Sequence, residues 1–167
     1  GHRLREGARV VICGQANVGK STLMNLLLET DRSIVTPIPG TTRDLIEEQV
    51  ILDGIPIRLI DTAGLRESDC LIEREGIERA RGSIRLADVI IYLLDGSQEW
   101  QPQDLEALSG FDPKRLLVVL NKIDLGDRID RTRLRDYRHL ACSLKNRDNL
   151  APLRPMIVDI LGVAAVN

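Results

Sequence analysis

The stretch ARVVICGQANVGKSTLMNLLLET, residues 8–30, constrains the fold more than any other part of the chain. Its first six residues are mostly apolar and β-branched, which is typical of a buried strand, whereas its second half has leucines at helical spacing. The glycine-bearing loop at 14–21 joins these two parts. A strand that enters a helix through such a loop presents converging backbone N–H groups to an anion, so this segment predicts a phosphate site.

Five further strand-like runs follow along the chain, at residues 45–52, 55–61, 88–95, 115–121 and 137–142. Helix-like runs separate most of them, but Asp53-Gly54 is a two-residue hairpin signal that makes its two flanking strands antiparallel. We therefore predict an α/β fold, a mostly parallel six-stranded sheet with one antiparallel edge strand and helices on both faces. Sites in such sheets lie at the carboxyl ends of the strands, where this chain places its polar, glycine-bearing segments.

Length and composition fit a single domain. The chain has 167 residues, 43% of them hydrophobic, which is enough for one substantial core. We predict the folded domain at 7–162, a linker or tag remnant at 1–6, and a tail at 163–167 after a helix that ends near Gly162. The net charge of −2 argues against nucleic-acid binding over the whole surface, so we expect any RNA contact to be local or indirect.

Location follows from what the sequence lacks. No apolar run is long enough to span a bilayer, so we expect no membrane association. Cys13, Cys70 and Cys142 have no metal-like spacing, and we interpret them as reduced thiols of a cytoplasmic protein. The arginine-rich run at 127–139 is interleaved with aspartates, which favours a solvated helix face over an RNA-binding surface.

The loop at 14–21 matches the phosphate-loop pattern at Gly14, Gly19, Lys20 and Ser21. Lys20 would place a positive charge at the β/γ-phosphate oxygens, and the Ser21 hydroxyl would be a ligand of Mg²⁺. The alternative is a glycine turn that matches the pattern by chance. The position of the loop between a strand and a helix makes such a chance match less frequent. The expected nucleotide contacts of this segment are Asn17, Val18, Gly19, Lys20, Ser21 and Thr22.

Three later segments complete a predicted guanine-nucleotide site. In DTAG, residues 61–64, Asp61 would hold Mg²⁺ through water and the Gly64 N–H would meet the γ-phosphate. In NKID, residues 121–124, Asp124 would accept from guanine N1–H and the 2-amino group, which adenine does not offer. In the same segment, Asn121 would meet the other base edge and Lys122 would cover a base face. In the third segment, CSLK, residues 142–145, Ser143 and Leu144 would lie beneath the base, with the Leu144 N–H available to O6, and Lys145 is a further expected contact.

With these motifs in this order, the chain resembles Ras-like P-loop G domains of translation-factor type, and within them the MnmE (TrmE) tRNA-modification GTPases. The segments GQANVGKSTLMNLL, SIVTPIPGTTRD, DTAGLRESDCLIEREGIERA and NKID carry the resemblance, and the third is the discriminating one. The resemblance implies a G domain excised from a longer protein, GTP as substrate, and GDP and phosphate as products. It also implies the partner MnmG (GidA) through the full-length protein, and tRNA only indirectly.

Hydrolysis needs a group that orients the attacking water. Ras-like proteins use a glutamine directly after the DxxG glycine, but here that residue is Leu65, which cannot hydrogen-bond water. Acidic alternatives follow at Glu67, Asp69, Glu73 and Glu75, and the resemblance singles out Glu73. We therefore expect Glu73, Lys20 and Thr42 to form the catalytic set, with Thr42 preferred to Thr41 as the Mg²⁺ ligand that senses the γ-phosphate.

The transition state also needs positive charge. An arginine finger from Arg43, Arg66 or Arg74 is one solution. The resemblance implies another, a K⁺ ion held by Asn17 and by Thr36, Ile38 and Thr41 of the TPIPGT segment, coupled to homodimerisation through the G domains in the GTP or transition state. From the residues alone, Asn17 fits equally well as a loop residue that tolerates unusual backbone angles.

Two other functions stay open beside the tRNA-modification GTPase. A Der- or Era-type ribosome-assembly GTPase shares the GTTRD segment, residues 40–44. A nucleotide-binding module without turnover is consistent with Leu65 in the place of glutamine.

Overall fold

The computed structural model describes residues 8–15, 18–31, 46–52, 54–61 and 87–166. Within these ranges the strands are β1 (Ala8–Gly14), β2 (Ile46–Leu52), β3 (Ile55–Asp61), β4 (Val89–Asp95), β5 (Leu116–Asn121) and β6 (Arg138–Ala141). The described α-helices are α1 (Lys20–Asp31), α2 (Pro102–Ser109) and α3 (Leu153–Val166). Short 3₁₀ turns lie at Pro113–Arg115, Ile123–Leu125 and Arg131–Leu134.

The six strands form one sheet in the order β2-β3-β1-β4-β5-β6. β2 pairs antiparallel with β3, and all other neighbours are parallel. Leu52 pairs with Ile55, and Gly54 adopts the φ of +82° that a two-residue turn between such strands favours. The predicted fold class and its antiparallel edge strand are confirmed.

Helices cover both faces of the sheet because the central strands are apolar on both sides. Val89, Ile91 and Leu93 of β4 belong to a buried cluster with α1 and α3. Their neighbours Ile90, Tyr92 and Leu94 belong to a second cluster with Leu108 of α2 and Leu134. Among the described helices, none combines the length and the apolarity needed to cross a bilayer.

Two local predictions were wrong. α3 runs to Val166 instead of ending near Gly162, because no helix breaker follows this glycine, and a single glycine costs a helix only about 1 kcal/mol. The arginine-rich run contains the 3₁₀ turn Arg131–Leu134 instead of a helix face. Asp130 caps this turn by accepting from the Thr132 N–H, and β6 begins only four residues after it. The limits of the folded domain at 7 and 162 stay a prediction.

Candidate nucleotide-binding site

The phosphate loop begins where β1 runs between β3 and β4. Gly14 pairs with Leu93, and its φ is +142°. A Cβ at this position would lie 2.6 Å from the Leu93 carbonyl oxygen, so only glycine fits. Lys20 opens α1, and its ammonium group donates to the Gly14 carbonyl at 2.6 Å. The loop is thus closed on itself at the positive end of a helix, which is the geometry of an anion site.

The first turn of α1 presents the predicted metal ligand. Ser21 and Thr22 are exposed, whereas Val18 is buried. The Leu23 N–H donates to the Gly19 carbonyl at 2.9 Å, so the helix starts directly after the loop. Ser21 therefore has an accessible hydroxyl beside the helix N-terminus.

Asn121 at the end of β5 connects the phosphate loop to the segment after β6. Its side chain is 4% exposed, Nδ2 donates to the Val18 carbonyl at 2.9 Å, and Oδ1 accepts from the Leu144 N–H at 2.9 Å. We expected this N–H to be available to guanine O6, but here it donates to Asn121, because a buried amide needs partners at both ends. Asn121 therefore holds two loops of the site together.

The segment after β5 has a strained backbone. Lys122 adopts a left-handed φ of +64°, and the 3₁₀ turn Ile123–Leu125 follows at once. The Lys122 ammonium lies 3.8 Å from a carboxylate oxygen of Asp95 at the end of β4. Asp124 is exposed within the turn, so its carboxylate is accessible to a base.

Ser143 stabilises the loop after β6. It is 1% exposed, its hydroxyl accepts from the Asn146 N–H at 3.2 Å, and its backbone exchanges hydrogen bonds with Asp148. The preceding residue Cys142 is also buried, and burial raises the pKa of its thiol to about 11. Lys145 is exposed at the start of the turn. The contacts of Ser143 thus stabilise the shape of the loop.

Two predicted Mg²⁺ ligands, Ser21 and Asp61, belong to segments that follow or end neighbouring parallel strands. Asp61 ends β3 and pairs with Ile12 of β1, the strand that leads into the loop and Ser21. Hydroxyl and carboxylate oxygens are the ligands that Mg²⁺ prefers, so this donor set fits the ion. The other predicted site residues lie outside the described residues, namely Asn17, Thr36, Ile38, Thr41, Thr42, Gly64 and Glu73.

One polar cluster beside the site was missed from the sequence. Asp104 of α2 is 6% exposed, and its Oδ1 accepts from the Tyr92 hydroxyl at 2.8 Å and from Gln15 Nε2 at 3.1 Å. Burial and then the bond to Asp104 raise the pKa of Tyr92, so its hydroxyl stays protonated and donates. A tyrosine in an otherwise aliphatic strand was the available signal, since a buried phenol needs a partner.

The chain is similar to known GTPases over most of its length. A family model described as 50S ribosome-binding GTPase matches residues 9–122. The tRNA modification GTPase MnmE of Natranaerobius thermophilus is 51% identical over 130 residues, which cover 78% of this chain and 28% of that protein. MnmE of Aquifex aeolicus is 41% identical over 162 residues, covering 97% of this chain and 36% of that protein. The chain thus spans about a third of the length of these relatives.

Solved structures share the fold. An Era variant of Aquifex aeolicus bound to GDP and AlF4⁻ superposes with a TM-score of 0.69 at 31% identity, covering 92% of this chain and 56% of that chain. The G domain of the T. maritima FeoB iron transporter superposes with a TM-score of 0.64 at 26% identity, covering 92% of this chain and 98% of that chain.

Proposed function

The chain belongs to the GTPase family whose model matches residues 9–122, and from this premise we propose that it is the G domain of a tRNA-modification protein. It binds GTP and hydrolyses it to GDP and phosphate. The observation that carries the proposal is the Asn121 side chain, which joins the phosphate loop to the base-side loop by two hydrogen bonds of 2.9 Å. Phosphate and base recognition are therefore parts of one site.

The residues divide the work of binding. Lys20 and the N–H groups at the start of α1 bind the phosphates, while Val18, Gly19 and Thr22 shape the loop around them. When bound, Mg²⁺ supplies positive charge at the β/γ-phosphate oxygens, and Ser21, Thr42 and, through water, Asp61 would hold it. Gly64 would meet the γ-phosphate. On the base side act Asn121, Lys122, Asp124, Ser143, Leu144 and Lys145.

Base selection provides the direct test. Asp124 would pair with N1–H and the 2-amino group of guanine, and an unpaired carboxylate would reject adenine, so we expect GDP to bind at least about 10³-fold more tightly than ADP. Asp124→Asn should weaken GDP binding about 100-fold or more and favour xanthosine diphosphate, whose 2-oxo group accepts from an amide. Calorimetric titration with each nucleotide measures this, with Asp127→Asn, an exposed carboxylate on the same loop, as the control. Equal affinity of the wild type for ADP and GDP would contradict the proposal.

For the chemical step we propose Glu73 as the residue that orients water, supported by Leu65 in the place of the usual glutamine. Glu73→Ala should keep GDP affinity and lose turnover, whereas Lys20→Ala should lose nucleotide. Glu75→Ala is the matched control. Turnover of Glu73→Ala at the wild-type rate would move the assignment to Glu67, Asp69 or Glu75.

We further propose that turnover is activated by K⁺-dependent pairing of two G domains, with Asn17, Thr36, Ile38 and Thr41 as ion ligands. The support is the resemblance of the segment at 33–44. A cation at this place would supply the charge that an arginine finger brings elsewhere. Sedimentation with GDP and aluminium fluoride should give dimers in K⁺ and monomers in Na⁺, and Asn17→Ala should not respond to K⁺. Dimers in both salts would contradict the assignment of these residues as K⁺ ligands.

The role in the whole protein belongs to the same proposal. The relatives named tRNA modification GTPase support a role in tRNA modification. The resemblance of the sequence motifs further implies a cytoplasmic protein that works with MnmG and reaches tRNA indirectly. Cys13 and Cys142, the cysteines among the described residues, are thiols, which suits a reducing compartment. The second candidate is a Der- or Era-type ribosome-assembly GTPase, and the family description 50S ribosome-binding GTPase supports it. Turnover in K⁺ that rises with protein concentration would favour the first function, and turnover independent of concentration the second.

A further inference from the structure

Gln15 follows the phosphate-loop glycine Gly14 directly, yet its side-chain contact lies outside the loop. Its Nε2 donates to Oδ1 of Asp104 at 3.1 Å, a residue 89 positions away in sequence. Asp104 lies in the first turn of α2 and is 6% exposed. The Tyr92 hydroxyl donates to the same oxygen at 2.8 Å and so holds the carboxylate in place. The acceptor for Gln15 is therefore a buried carboxylate oxygen that is fixed from a second side.

The two helices next to the loop pack on opposite faces of the sheet. α1, which the loop enters, contributes Leu23 and Leu27 to one buried cluster, whereas α2 contributes Leu108 to the other. The loop therefore starts at the carboxyl end of β1 and leads into α1 on one face of the sheet. Gln15 connects the start of the loop to α2 on the other face. Asn121 ties the far end of the loop through the Val18 carbonyl.

We propose that Gln15 is a positioning residue of the phosphate loop, which it anchors to α2 through Asp104. The inference rests on the proposed nucleotide site. The bond fixes the backbone of the loop entry, so the N–H groups that bind phosphate stay converged before and after nucleotide arrives. A bond to a carboxylate is stronger than one to a neutral acceptor, which suits an anchor whose donor is exposed.

Release of a fluorescent GDP analogue, followed by stopped flow, tests the anchor. Gln15→Met keeps the length of the side chain and removes the donor, and we expect release about three- to tenfold faster than wild type. Gln103 is an exposed glutamine of α2, next to Asp104, and the control variant Gln103→Met should release the GDP analogue at the wild-type rate. In steady state the KM for GTP should rise with kcat unchanged, because the anchor acts on binding.

A double-mutant cycle separates anchoring from general stability. If Gln15 acts through Asp104, the pair Gln15→Met and Asp104→Leu, in which leucine removes the acceptor at similar size, should release GDP no faster than Asp104→Leu alone. Thermal unfolding of each nucleotide-free variant reports stability independently. Additive effects, an equal effect of Gln103→Met, or a loss of stability in Gln15→Met without faster release would overturn the inference. A wild type that does not bind GDP would instead overturn the proposed function on which the inference rests.

Discussion

At the scale of single residues, the site is built on contacts that leave no room for a further carbon atom. Gly19 has a φ of +108°, and a Cβ there would lie 2.4 Å from Asn121 Nδ2. This amide is itself held by the Val18 carbonyl at 2.9 Å and cannot move away without losing its bond. The glycine and the asparagine therefore depend on each other, although 102 positions separate them.

Gly19→Ala should lower the free energy of unfolding by about 1–3 kcal/mol, through backbone strain and displacement of the Asn121 amide. We also expect the melting temperature to rise less on adding GDP, because the loop can no longer close around phosphate. Gly126→Ala is the control, since its φ of +147° is also positive but the nearest atom is 3.8 Å from the added Cβ. An alanine at 19 that keeps the full GDP response would contradict this account.

Cys142 links stability to pH. Burial raises the pKa of its thiol from 9.0 to about 11, so the folded state favours the neutral thiol. A group whose pKa is higher in the folded than in the unfolded state contributes fully to stability below its unfolded pKa. This contribution is lost as the pH rises through the folded pKa. The stability difference between wild type and Cys142→Ala should therefore narrow from pH 9 to pH 11, as measured by urea denaturation. A difference that stays constant across this range would show that the thiol does not titrate as described.

At the scale of elements, the backbone decides what a glycine contributes. An added Cβ meets nothing within 4 Å at either Gly162 of α3 or Gly54 of the hairpin. Gly162 lies inside a helix, where alanine is the best residue, whereas Gly54 has a φ of +82°, which alanine disfavours.

The same substitution should therefore have opposite signs at these two positions. Gly162→Ala should raise the free energy of unfolding by about 0.5–1 kcal/mol, and Gly54→Ala should lower it by about 1 kcal/mol. Chemical denaturation of the two variants beside wild type measures both changes. If Gly162→Ala destabilised the protein, α3 would not continue through this glycine to Val166.

At the scale of the whole molecule, one sheet joins two cores. Leu116 and Leu117 are neighbours on β5 and both are 0% exposed. Leu117 packs with α1 and α3, whereas Leu116 packs in the α2 layer, where Trp100 is the chain's single tryptophan. Since both clusters depend on the same strands, they are expected to unfold together.

Leu116→Ala and Leu117→Ala should each lower the free energy of unfolding by about 2–5 kcal/mol. In both variants, tryptophan fluorescence and far-UV circular dichroism should follow one transition, although Trp100 reports directly on only one layer. A Leu117→Ala protein whose dichroism changes before its fluorescence would show that the two layers unfold separately.

Much of the fold was determined by local sequence. Apolar runs, an Asp-Gly turn and helical leucine spacing predicted six strands, their antiparallel edge and helices on both faces, because side-chain periodicity reflects burial directly. The motifs fell at the carboxyl ends of parallel strands for the same topological reason. Hence the position of these motifs at one end of the sheet followed without coordinates, while the roles expected of Lys20, Ser21 and Asp124 stay predictions.

Only the tertiary structure decided which polar atoms meet. The bond from Leu144 to Asn121 spans 23 positions, and that from Gln15 to Asp104 spans 89. No local pattern encodes such pairs, because each forms only when strands distant in sequence become neighbours and bury a group that then needs a partner.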